Sequence, residues 1–160
     1  TPETSPHTSL RQRVRNAREC GKLESLKAAA RGSVAGSRGA GKLEEALAYV
    51  KSLGARADNM AHYTVGVACF EKVRNDKEHL IAPEQRMVIV DAGIEALRKS
   101  VAMTPDSFDS LVYLNLVLRQ KARLEVDPVV QQALIAEAVT LQDKARAIAA
   151  ARKAKEAAAS

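Results

Sequence analysis

The residues with the plainest potential for chemistry are a glycine-rich stretch, a His/Cys pair and a run of arginines. G-S-R-G-A-G-K at 36–42 fits the spacing G-x-x-x-x-G-K of a phosphate-binding loop. Leu43 follows, however, where magnesium binding needs Ser or Thr, and no strand pattern precedes it. The glycines are better explained as linker and helix entry. If a nucleotide did bind here, added ATP would raise thermal stability, and an unchanged melting temperature ends the idea.

His62 and Cys69 are seven apart, two turns along one helix face, with no further ligand at metal spacing. His7 and His79 sit in polar segments. No base stands beside either thiol to make a nucleophile, and Glu44-Glu45 belong to a solvated helix face. Cys20 and Cys69 form no C-x-x-C pattern, so two free thiols in a reducing compartment are expected. Neither catalysis nor a cofactor or metal is expected.

Arg11, Arg13, Arg15, Arg18 and Lys22 form a basic patch beside Leu10, Val14 and Ala17. Such a run can neutralise phosphates, rest on anionic lipid or dock on acidic subunits of a larger complex, including one in a membrane. No aromatic residues interleave with it, which disfavours nucleic acid.

These side chains must be positioned by helices. The chain has 160 residues, aromatics are 3% with no Trp, and Ala, Leu, Lys, Arg and Glu dominate. That is an all-α composition of one-domain length. The net charge of +6 divides unevenly: 11 basic against 5 acidic residues over 1–56, 9 against 11 over 57–127, and 5 against 3 over 128–160. No apolar run approaches the roughly 20 residues of a spanning helix, and no signal-type stretch opens the chain. A soluble, cytoplasmic protein is expected, peripheral to a membrane complex at most. Thr1 at the first position fits loss of an initiator Met, and equally a cleaved leader.

Residues 1–9, with two Pro and small polar residues, read as an extended tail. A basic helix over 10–31 is followed by a linker at 32–41 with four Gly. The helical domain is expected over 41–150. Leu43, Ala46, Leu47, Val50 and Leu53 predict a helix ending at Gly54, and Asp58 is the candidate N-cap of a helix over 59–73. After a polar connection at 74–82, Pro83 opens a helix that stops at Thr104-Pro105. The next starts near Asp106 or Ser107, and Asp127-Pro128 launch the last. Past Ala151 helix propensity persists but no large apolar side chain remains, so an Ala/Lys-rich tail over 151–160 should fray or lie on something else.

Three stretches resemble the tetratricopeptide pattern. G-K-L-E-E-A-L at 41–47 is similar to the start of the second helix of such a repeat. His62, Val65, Gly66 and Cys69 match the first-helix W-x-x-L-G-x-x-Y, and Gly93, Leu97, Ser100 and Pro105 match the second helix and its terminal Pro. Leu111, Leu114, Asn115 and Leu118 repeat the first-helix spacing, with Asn115 in the small-residue position, and Ala138 and Ala145 supply second-helix small residues. The step from Gly66 to Pro105 is 39 residues, where a 34-residue repeat needs about 24, so roughly 15 extra residues lengthen the hairpin. The stretch resembles a bacterial tetratricopeptide subfamily with elongated hairpins.

The resemblance implies an α-α superhelix of antiparallel pairs whose first helices line a groove for a protein partner. By it, Met60, Tyr63, Val67 and Phe70 line one side, and Asp109, Val112, Leu116 and Arg119 the other. A non-catalytic scaffold or adaptor, a subunit of a larger assembly, is then expected. The alternative is a basic accessory protein that binds nucleic acid or an anionic membrane surface through residues 10–27.

Overall fold

The computed structural model describes residues 38–159. The tail at 1–9, the basic patch Arg11, Arg13, Arg15, Arg18 and Lys22, Cys20 and Ser160 lie outside the described residues. Within them the chain forms five α-helices and no strand: α1 (Arg38–Leu53), α2 (Asn59–Asn75), α3 (Pro83–Met103), α4 (Phe108–Leu124) and α5 (Pro128–Ala158).

The expected boundaries hold wherever a specific side chain sets them. The Asp58 carboxylate accepts from the Ala61 amide at 2.9 Å, and the Asp127 carboxylate from the Val129 amide at 2.8 Å. Pro83 and Pro128 occupy first-turn positions, where a missing N–H costs nothing. Ser107, rather than Asp106, caps α4. Gly54, with φ of 54°, ends α1 in the left-handed region that suits glycine, and a 3-10 turn over Gly54–Arg56 follows.

Three boundaries move, the smallest being the end of α2, at Asn75 rather than the expected 73. α1 starts at Arg38, inside the expected linker, so Gly39 and Gly41 are helical. Leu43, Ala46 and Leu47 are buried a turn or two further on. Their packing outweighs the weak propensity of the glycines. At the other end α5 stays helical to Ala158, past the point at Ala151 where its apolar stripe stops. Alanine has the highest helix propensity, and extending a formed helix needs no new nucleus. The Arg152 guanidinium also lies 5.9 Å from the centre of the Phe108 ring, tying this segment to the start of α4.

Cross-contacts show that neighbouring helices run antiparallel. Asp76 meets Arg86 and Asn59 meets Ser100 across α2 and α3. Gln131 meets Glu125, Arg119 meets Gln142 and Arg152 meets Phe108 around α4 and α5. Helix α3 packs on α4, α1 on α2, and α2 touches α4 directly.

One core cluster joins Leu43 and Leu47 of α1 to Val65 and Cys69 of α2 and Ile89 of α3. The second joins Phe70, Val90, Leu97, Leu114, Leu118 and Ala138. At the α2/α3 crossing the backbones approach through Gly66 and Gly93. A Cβ on Gly66 would lie 2.2 Å from Leu97 Cγ, and one on Gly93 would lie 2.9 Å from the Cys69 Cβ. Beside it, the Ser100 hydroxyl donates to Asn59 Oδ1 and lies 2.7 Å from the Ser110 hydroxyl, so this buried polar group is fully engaged.

Cys69 is fully buried, and burial pushes its thiol up to about 12 against a small opposing pull from Lys72. The thiolate is the reactive form. Cys69 should therefore resist iodoacetamide at pH 8 in the folded protein and react in denaturant, as peptide mass mapping would report.

Candidate partner-binding face

The face predicted to receive a partner is built from one side of α2 and one side of α4. Its centre is aromatic. Tyr113 of α4 receives Tyr63 and Phe70 of α2 edge-on, with ring centroids 5.6 and 5.7 Å apart. Such edge-to-face pairs hold two helices at a fixed separation. The Tyr63 phenol is raised above its ordinary value first by burial and then by Tyr113, Asp109 and Glu71 nearby. Asp109 and Tyr63, predicted on opposite sides of the groove, are thus electrostatic neighbours.

The predicted residues have unequal fates. Met60 is 60% exposed at one end of α2, and Asp109 is exposed on α4. Tyr63, Val67 and Val112 are half-buried. Phe70, by contrast, is only 8% exposed and belongs to the second core cluster, against which Leu116 also packs. Arg119 donates from Nε to Asn115 Oδ1 at 2.8 Å and from Nη2 to Gln142 of α5 at 3.2 Å. Its guanidinium joins α4 to α5. The same contact explains how Asn115 is tolerated in a small-residue position, since its buried amide oxygen is satisfied along the helix.

Tyr113 was missed by the sequence reading, although it is the residue on which the face is organised. It lies four residues after Asp109, one of the two spacings that share a helix face, and an aromatic at that position was the available signal.

The remaining sequence candidates are dispersed. Of the glycine-rich stretch, residues 38–42 are the first turns of α1, so no loop amides gather there. His62 is half-buried and Cys69 buried on α2, and no group of three His, Cys, Asp or Glu among the described residues could hold a metal. No helix among the described residues is long and apolar enough to cross a membrane. A shallow depression of about 510 Å³ runs along α3 beside Lys121 of α4, lined by Asp91, Arg98 and Lys99 together with Ile94 and Ala102. Lys121 pairs with Asp91 at 2.7 Å, and Arg98 with Glu137 of α5 at 2.9 Å.

Comparison with protein-family models, with curated proteins and with solved structures finds no match to this chain.

Proposed function

We propose that the chain is a tetratricopeptide-like scaffold or adaptor that holds protein partners in a larger assembly and has no catalytic role. The observation that carries this reading is the fate of the residues the repeat pattern singles out. Val65, Gly66 and Cys69 on α2, Gly93, Leu97 and Ser100 on α3, and Leu111, Leu114, Asn115 and Leu118 on α4 are all buried, whereas His62 is half-buried and the terminal Pro105 exposed. Ala138 and Ala145 are the buried residues of α5. Each buried residue therefore serves helix contact, while Met60, Tyr63, Val67, Asp109 and Val112 between α2 and α4 keep accessible surface. The direct α2–α4 contact through Tyr63 and Tyr113 is what successive first helices of a repeat stack require.

The partner is a protein, and the site of action is the cytoplasm, including the surface of a membrane complex. The test is affinity purification of the tagged chain from its native cells at moderate and high salt, followed by mass spectrometry. A discrete set of proteins should survive high salt, because burial of apolar surface is insensitive to screening. Met60→Glu with Val112→Glu should remove that set while leaving the circular dichroism unchanged, since neither side chain is in the core. Recovery of nucleic acid or lipid alone, lost as salt rises, would replace this reading with the basic accessory protein.

A further inference from the structure

Helix α5 buries only one narrow side, at Ala138 and Ala145 with Leu134 and Leu141 beside them. The side turned away carries Val129, Ala133, Ala136, Thr140, Ala147 and Ala154, all exposed. Val129 alone is 73% exposed and Val139, on the flank, 42%. The solvated face of a surface helix is ordinarily polar or charged. This one is mostly small and apolar, with Thr140 and Asp143 as its polar members, over a helix of 31 residues, about 46 Å long.

The charges on the same segment are segregated. From Glu125 to Asp143 there are four acids, Glu125, Asp127, Glu137 and Asp143, and no Lys or Arg. From Lys144 onward come Lys144, Arg146, Arg152, Lys153 and Lys155 against Glu156. The blocks carry −4 and +4, and the sign changes at the midpoint of the helix. Part of each block is engaged within the chain: Glu137 pairs with Arg98, Lys144 lies 4.0 Å from Asp106, and Arg146 lies 3.8 Å from Asp143. Lys153 and Lys155 at the basic end are exposed.

We propose that the outward face of α5 is an interface with a second copy of this chain, the two α5 helices lying antiparallel about a two-fold axis between Asp143 and Lys144. That axis sets Val129 opposite the partner's Ala158, Ala133 opposite Ala154, Ala136 opposite Ala151 and Thr140 opposite Ala147. Every one of these positions is on the outward face, so a single rotation matches the stripe to itself, as an isologous contact requires. The same rotation lays each acidic block along the partner's basic block and opposes the helix dipoles. Small side chains let the two backbones come close. A parallel pair would set like blocks side by side, which selects the antiparallel arrangement.

The test is sedimentation velocity of the full chain at about 100 µM, at low and high salt, with disulfide cross-linking of introduced cysteines in a Cys20→Ser background, where the remaining Cys69 is buried. The expected mass is twice 17.2 kDa, with the dimer fraction falling as salt screens the blocks. Ala147→Arg, at an exposed helical position, should weaken association more than tenfold with unchanged helicity. Ala136→Cys mixed with Ala151→Cys should give a mixed disulfide far in excess of either homodisulfide. A monomer at that concentration, a dimer indifferent to Ala147→Arg, or a dominant Ala136→Cys homodisulfide would each overturn the proposal.

Discussion

Gly66→Ala should lower the melting temperature by roughly 5–10 °C, although alanine is the better helix former. The reason lies across the α2/α3 crossing, where the new methyl would come within 2.8 Å of three carbons of the Leu97 side chain. Leu97 is completely buried, so it has no free space to move into. Overpacking of this kind costs about 1–3 kcal/mol and sometimes more, against a gain of at most ~1 kcal/mol in helix propensity. The sterics therefore decide the sign.

A double-mutant cycle separates this cause from a general defect of α2. Leu97→Ala alone should cost about 2–5 kcal/mol through the cavity it leaves. Adding Gly66→Ala to it should then be neutral or stabilising, because the second methyl enters the vacated space. Urea unfolding of the four proteins checks this. An unchanged or raised melting temperature for Gly66→Ala, or strict additivity with Leu97→Ala, would show that the helices are not held at this distance by the glycine.

The same crossing shows what kind of information the chain makes plain to a reader. Gly66, Gly93, Leu97 and Ser100 were legible through the repeat pattern they resemble, which puts small residues where backbones meet and large ones where they part. The caps Asp58, Asp127, Pro83 and Pro128 were legible because each acts on atoms within three residues of itself. The start of α1 and the end of α5 were not, because local propensity there competes with packing: Leu43 and Leu47 hold two glycines helical. On the candidate face, alternation along a helix identified the side but not its occupancy. Phe70 and Met60 share the sequence pattern, yet one is in the core and the other exposed. The difference is made by Tyr113 on another helix, to which no spacing within α2 refers. Arg119 likewise read as a surface cation, and its engagement with Gln142 depends on the register of α5 against α4.

Asp76 carries the second large effect, and it is equally non-local. The connection at 76–82 reads as a polar loop, but in the folded chain a single carboxylate organises it. Oδ1 accepts from the Leu80 amide at 2.8 Å, and Oδ2 from the Ile81 amide at 3.1 Å and Arg86 Nη2 at 2.6 Å. Arg86 Nε closes the ring by donating to the Ile81 carbonyl at 3.0 Å, and Nη2 lies 2.8 Å from His79 Nδ1. This holds His79 at a φ of 54°, a left-handed conformation with no glycine to ease it. It also sets Ile81 into the first core cluster. The Asp76 side chain is 6% exposed and that of Arg86 15%. Removing one partner leaves the other's charge part-buried and unmatched, a loss of about 1–3 kcal/mol.

Asp76→Asn should therefore be strongly destabilising at neutral pH, because its amide group turns a donor toward donors. Arg86→Lys should also be costly, since an ammonium cannot span both the carboxylate and the Ile81 carbonyl. The pH dependence identifies the charge as the cause. Burial alone would raise the Asp76 carboxyl, but the Ile81 and Leu80 amides and Arg86 together hold it below its ordinary value. In the unfolded chain the carboxyl returns to about 3.9. A group depressed in the folded state contributes its stability above the unfolded value and loses it as pH falls through the folded one. The gap in unfolding free energy between the wild type and Asp76→Asn should thus be full at pH 6 and narrow steadily below about pH 4. Urea titrations at several pH values would measure it. A gap that stayed constant down to pH 2 would mean that shape, not charge, makes Asp76 necessary, and that the loop is held by its backbone alone.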